Sequence, residues 1–166
     1  MLNQKNNIFL IFILFIIIAT LISAFIIQYS LGHQPCKLCL YERIPYFFAL
    51  MLILQIFFFK KYEKITFFLL FLVFILSTLL AFYHFGIEQG FFKESFVCNV
   101  ENQNAILSKE QLLMKLSQNI ISCKEVTFKI LGLSLAAINA ILSILFSIIF
   151  LKLFMNYGSN STSQYK

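Results

Sequence analysis

The chain has 166 residues, of which 60% are hydrophobic and 12% charged, about half the charge of an ordinary soluble domain. Apolar runs of roughly 18 residues or more therefore set the class, because a helix of about 20 residues crosses the bilayer core. The formal charge of +6 does not mark a nucleic-acid binder, since Lys and Arg are scattered at the ends of apolar runs and form no dense patch.

Four spans are predicted, at about residues 8–29, 40–59, 65–85 and 130–155, in a single integral membrane domain covering 1–166. A span in lipid must satisfy its backbone hydrogen bonds internally, so the expected fold class is an all-α membrane protein, a four-transmembrane-helix bundle. The first span, Ile8 to Tyr29, is longer than a signal-peptide core, and no clear small-x-small pattern follows it. It reads as a retained helix. Residues 30–39 make a short loop, and the second span runs from Leu40 to Phe59. Lys60, Lys61, Tyr62, Glu63 and Lys64 form a tight loop before the third span, Ile65 to Phe85. Residues 86–129 form a long loop. Within it, Ser108-Lys109-Glu110-Gln111 fits a capping box, and Leu112, Leu113, Leu116 and Ile120 follow at helical spacing. The pattern predicts a short amphipathic helix on the membrane surface. The fourth span, Ile130 to Met155, carries a small-residue face of Gly132, Ser134, Ala136 and Ala137, and Asn139 reads as an interhelix hydrogen bond. The chain has no Trp, so Tyr29, Tyr41, Tyr62, Tyr83 and Tyr157 are the candidate interface anchors.

An even number of spans puts both termini and the tight loop on one side and the two other loops opposite. Three Lys in the five residues of the tight loop mark that side as cytoplasmic. All four cysteines then lie on the other face: Cys36 and Cys39 in Cys-Lys-Leu-Cys, Cys98 and Cys123 in the long loop. Three readings compete: two structural disulfides, a four-thiolate zinc site, or a pair of exchanging disulfides. Thiols outside the cytoplasm form lasting disulfides. Zinc normally takes its second half from another close pair, whereas 24 residues separate Cys98 from Cys123.

The surroundings of the first pair favour exchange. A helix beginning near Cys39 puts that thiol at the positive end of a helix dipole, which lowers a thiol pKa. Arg43, four residues on, lies one turn along the same face, where its guanidinium would stabilise a thiolate. Its bland alternatives are headgroup contact or a pair with Glu42. His84, at the outer end of the third span, shares the depth of Cys39 and Arg43 and could donate a hydrogen bond or proton to a bound carbonyl compound. Glu88 reads as a solvated loop acid.

The run Pro35-Cys36-Lys37-Leu38-Cys39-Leu40-Tyr41-Glu42-Arg43 resembles the P-C-x-L-C-x-Y-E-R signature of the DsbB family of disulfide bond formation proteins. The four spans, the loop cysteines and Leu131-Gly132-Leu133-Ser134 are similar as well. The resemblance implies a multi-pass protein of the bacterial inner membrane, with both termini cytoplasmic and the cysteines periplasmic. It implies an enzyme that reoxidises a periplasmic thioredoxin-fold oxidase of the DsbA type and passes electrons to a membrane quinone, ubiquinone or menaquinone. On these residues, the partner's thiolate would attack Cys98 of a Cys98–Cys123 disulfide. Cys123 would attack Cys36, and Cys39 would leave as a thiolate and engage the quinone, with Arg43 and His84 as quinone-site residues. No metal is assigned. The vitamin K epoxide reductase-like group is set aside, because its CxxC comes late in the core while this one follows the first helix. The alternative of another class is a non-catalytic assembly protein whose loops are stapled by disulfides or zinc.

Overall fold

A computed structural model describes residues 4–93, 98, 122–124, 128–130 and 132–162, and the predicted capping box and amphipathic helix at 108–120 lie outside them. Of the described residues 80% are helical, and among them four helical segments are long and apolar enough to span a membrane.

Helix α1 runs Gln4–Tyr29. Its Leu10, Ile13, Ile17 and Leu21 recur at helical spacing and are buried, while Phe12, Phe15 and Ile22 stay exposed on the outer face, as in a helix bathed in lipid. The turn that follows uses Gly32 at φ +70°, a left-handed conformation that costs a glycine little.

The second span is two helices, α2 (Lys37–Tyr41) and α3 (Ile44–Phe58), and it begins three residues before the predicted Leu40. Pro45 causes the break. It has no N–H to give Tyr41, and its ring disfavours helical backbone at the preceding residue. The chain restarts from Arg43, whose carbonyl accepts from Tyr46 N at 3.1 Å and Phe47 N at 3.2 Å. Lys60–Tyr62 form a single 3₁₀ turn.

The third span is α4 (Glu63–Glu88), which reaches past the predicted end at Phe85 and adds a turn carrying Ile87 and Glu88. Gly86 permits the chain to fold back there: a Cβ at that position would collide with the Phe92 ring, and the Gly86 carbonyl accepts from Phe91 N at 2.8 Å.

The predicted fourth span started at Ile130, but its first residues form a small antiparallel ladder. Strands β1 (Lys129–Ile130) and β2 (Leu133–Ser134) pair around Gly132 at φ +85°. Gly132 therefore makes a turn instead of joining a packing face. Helix α5 (Leu135–Thr162) follows, with Ser134 Oγ accepting from Ala137 N at 3.2 Å. That bond satisfies one of the free amides of the first turn.

The middle of the bundle is aromatic. Phe74 of α4 stacks on Phe150 of α5 with centroids 5.6 Å apart, and lies 4.9 Å from Phe146. Tyr46 of α3 meets Phe74 edge-on at 5.7 Å. Lipid offers helices no hydrophobic reason to associate, so such packing and the polar contacts beside it hold the spans together.

Candidate active site

The cysteines collect at one end of the bundle. Cys36, Leu38, Ile87, Cys98 and Cys123 form one buried cluster. Cys98 and Cys123 are joined in a disulfide, while Cys36 and Cys39 are free thiols. Two sulfurs are thus committed to each other, and the four-thiolate zinc arrangement is not what the chain builds.

Cys36 caps α2. Its extended backbone (ψ 168°) turns the sulfur back over the first turn, where it accepts from Cys39 N at 3.3 Å. Cys39 Sγ lies within hydrogen-bond reach of the same sulfur, at 2.9 Å, and His84 Nε2 lies 3.5 Å away. These contacts push the Cys36 thiol pKa below the ordinary thiol value. The Cys39 hydrogen bond is the largest cause and His84 adds to it, against the opposing effect of burial. The sequence pointed to Cys39 as the stabilised thiolate, but the donors converge on Cys36.

His84 is buried, at 2% exposure. Its Nδ1 faces Glu42 Oε1 at 2.7 Å, and Glu42 Oε2 accepts from Asn139 Nδ2 at 2.9 Å. Asn139 Oδ1 accepts from the Tyr46 hydroxyl at 2.6 Å, and Ser77 and Ser143 continue the polar contacts at 2.9 Å. Asn139 is the interhelix bond expected of it. Glu42 pairs with α4 and α5 and leaves Arg43 alone. Glu88, expected in solvent, has a side chain only 6% exposed, with Oε1 3.8 Å from His84 Nε2.

Arg43 sits in the break made by Pro45 and turns toward α1. Nη1 donates to Gln28 Oε1 at 2.6 Å, Nη2 to the Ala24 carbonyl at 3.4 Å, and the guanidinium lies 5.2 Å from the Phe25 ring centroid. It and Cys39 line one cavity of about 400 Å³, walled by α1, α3 and α5, with Gln28, His33, Glu42 and Asn139 also on the lining. The ring of His33 lies 5.2 Å from that of Phe128, which ties the first loop to the end of the second.

Glu42, Glu88, Gln28, Tyr46 and His33 were not singled out from the sequence as site residues. One signal was available: a charge at the edge of an apolar span is costly unless paired, and the reasoning that marked Arg43 applies equally to its neighbour Glu42.

A CxxC held in a helix cap thus stands beside a buried His–carboxylate pair and a second cysteine pair. Residues 6–153 match the family described as "Disulfide bond formation protein DsbB". The chain belongs to the DsbB family. It is also similar to an uncharacterised protein of Rickettsia prowazekii (strain Madrid E), at 32% identity over 146 residues that cover 87% of this chain and 84% of the relative. Membership of the DsbB family makes this multi-pass membrane protein an oxidoreductase of disulfide chemistry.

Proposed function

We propose that the chain reoxidises a periplasmic thioredoxin-fold oxidase of the DsbA type and passes the electrons to a membrane quinone, ubiquinone or menaquinone. In this reading it sits in the bacterial inner membrane as one integral domain, with both termini cytoplasmic and all four cysteines periplasmic. One observation carries the proposal. Cys36 packs in the same apolar cluster as the Cys98–Cys123 disulfide, whereas Cys39, three residues on, lines the cavity. The first pair thus bridges the loop disulfide and a chamber for the acceptor.

The chamber suits a quinone ring. Its volume of about 400 Å³ falls within the range of small-molecule sites, and the surface it presents is mainly apolar, with polar groups that include Gln28, His33, Glu42, Arg43 and Asn139. A quinone bound there would accept two electrons and two protons. Arg43, fixed by Gln28 and the Ala24 carbonyl, would orient it and offset negative charge.

The relay balances through ordinary thiolate attack on sulfur. The partner's thiolate attacks Cys98, the Cys98–Cys123 bond breaks, and Cys123 leaves as a thiolate. Cys123 attacks Cys36 of an oxidised first pair, and Cys39 leaves. The partner's second thiolate displaces Cys98, which attacks Cys123 and re-forms the loop disulfide as Cys36 leaves. The partner is then oxidised, and the first pair holds two electrons and two protons. Contacts from Cys39 and His84 stabilise Cys36 as that leaving thiolate, and Glu42 orients His84.

Trapping tests the order. A partner lacking its second cysteine should accumulate as a mixed disulfide with Cys98. An adduct mapping only to Cys123 would reverse the first step.

A further inference from the structure

The relay does not use everything that surrounds His84. One ligand atom each from Cys36, Cys39 and His84 lies within 4.8 Å of the others. Zinc–sulfur bonds of about 2.3 Å and zinc–nitrogen bonds of about 2.0–2.1 Å at tetrahedral angles separate sulfur from nitrogen by roughly 3.5 Å. Cys36 Sγ and His84 Nε2 are 3.5 Å apart. The other ring nitrogen faces a carboxylate, Glu42 Oε1 at 2.7 Å, and that carboxylate is itself held by Asn139. This is the outer-shell arrangement that fixes the imidazole tautomer with Nε2 free to ligate and raises its basicity. Glu88 supplies an independent sign. Its side chain is 94% buried (6% exposed), Oε1 faces Nε2 at 3.8 Å, and Oε2 has no hydrogen-bond partner.

We propose that the reduced Cys36–Cys39 pair, with His84 and Glu88, is a redox-gated site for one thiophilic divalent cation of the zinc class. The two sulfurs, 2.9 Å apart, part by roughly 0.9 Å to reach tetrahedral separation. Binding displaces the thiol protons and any proton on Nε2, and no electrons move. Oxidation of the pair to a disulfide removes both thiolates and releases the ion. The ion in turn keeps both sulfurs from forming a disulfide, so it inhibits the centre reversibly. The site needs only the thiols and their neighbours and does not rest on the quinone relay.

The test uses the full chain with Cys98→Ala and Cys123→Ala, in detergent and reduced. It is titrated with Co²⁺, whose absorption reports tetrahedral geometry and thiolate ligation, and then with Zn²⁺ as competitor. One Co²⁺ per chain is expected, with a tetrahedral thiolate spectrum that Zn²⁺ abolishes. His84→Ala and Glu88→Gln should each weaken Co²⁺ binding about tenfold or more. The Cys36–Cys39 disulfide form should bind none. A spectrum without thiolate ligation, unchanged affinity in either variant, or equal uptake by the oxidised form overturns the site. Neither partner nor quinone is present, so a failed titration leaves the relay standing, and a failed relay leaves the titration unaffected.

Discussion

Glu42 and Phe74 are both buried in the bundle, yet they hold it by different means. Glu42 spends one oxygen on His84 and the other on Asn139, so its position is fixed by directional bonds to two other spans. Phe74 touches Phe146, Phe150 and Tyr46 through ring contacts with no donor or acceptor to place. The aromatic layer secures the spans, and the polar end fixes the direction in which His84 points. A half-satisfied buried network costs more than an apolar core, so the polar end is worth its burial only where chemistry needs it. Tyr46 belongs to both regions, with its ring on Phe74 and its hydroxyl on Asn139.

The contrast can be broken at several points. Phe74→Ala should have the largest effect on stability, about 3–5 kcal/mol, because a cavity opens in a packed core. Thermal unfolding in detergent would read it, and a change under 1 kcal/mol would remove the aromatic layer as the main fastening. His84→Ala should also lower stability, because it leaves Glu42 Oε1 buried without its partner, and should change the titration of Cys36. The Cys36 thiol lies below the ordinary value of about 8.5, so its thiolate persists as pH falls through that value and is lost only at lower pH. Removing one of its stabilising contacts moves the titration upward, and thiolate ultraviolet absorbance near neutral pH should drop. An unmoved titration curve would separate His84 from Cys36.

Arg43→Ala removes a charge-assisted contact of about 1.5–3 kcal/mol and should raise the apparent KM for a soluble quinone roughly tenfold. The Cys98–Cys123 disulfide should remain intact. An unchanged KM would take Arg43 out of the acceptor site. Tyr46→Phe is the smallest and most discriminating change, since it keeps the ring and deletes the hydroxyl. A polar contact between membrane helices is worth about 0.6 kcal/mol on average. Stability should fall by about that amount, and a loss comparable to Phe74→Ala would show that the two regions are not separable.

The spans were legible because about 20 consecutive apolar residues have few other folded uses. Their ends were less so. Pro45 stood in plain view inside the second span, but a proline near a helix start and one that splits a helix look alike in sequence. Gly132 looks like a packing residue in sequence because nothing there announces the pairing of Lys129 with Ser134 that makes it part of a turn. The CxxC and the loop cysteines announced themselves by type and spacing. Glu42 did not, because its partners lie 42 and 97 residues away and depend on which helix faces meet. Glu88 looks like a loop acid in sequence because Gly86 reads as a helix end, whereas the helix continues one residue pair further to Glu88.

The central claim is that electrons cross from the loop disulfide to the cavity through Cys36 and Cys39. The most direct measurement is quinone reduction by the purified protein supplied with a reduced DsbA-type oxidase and a soluble quinone. The account predicts steady reduction with wild type and none above background with Cys36→Ser or with Cys98→Ser. Reduction that survives either substitution would contradict it.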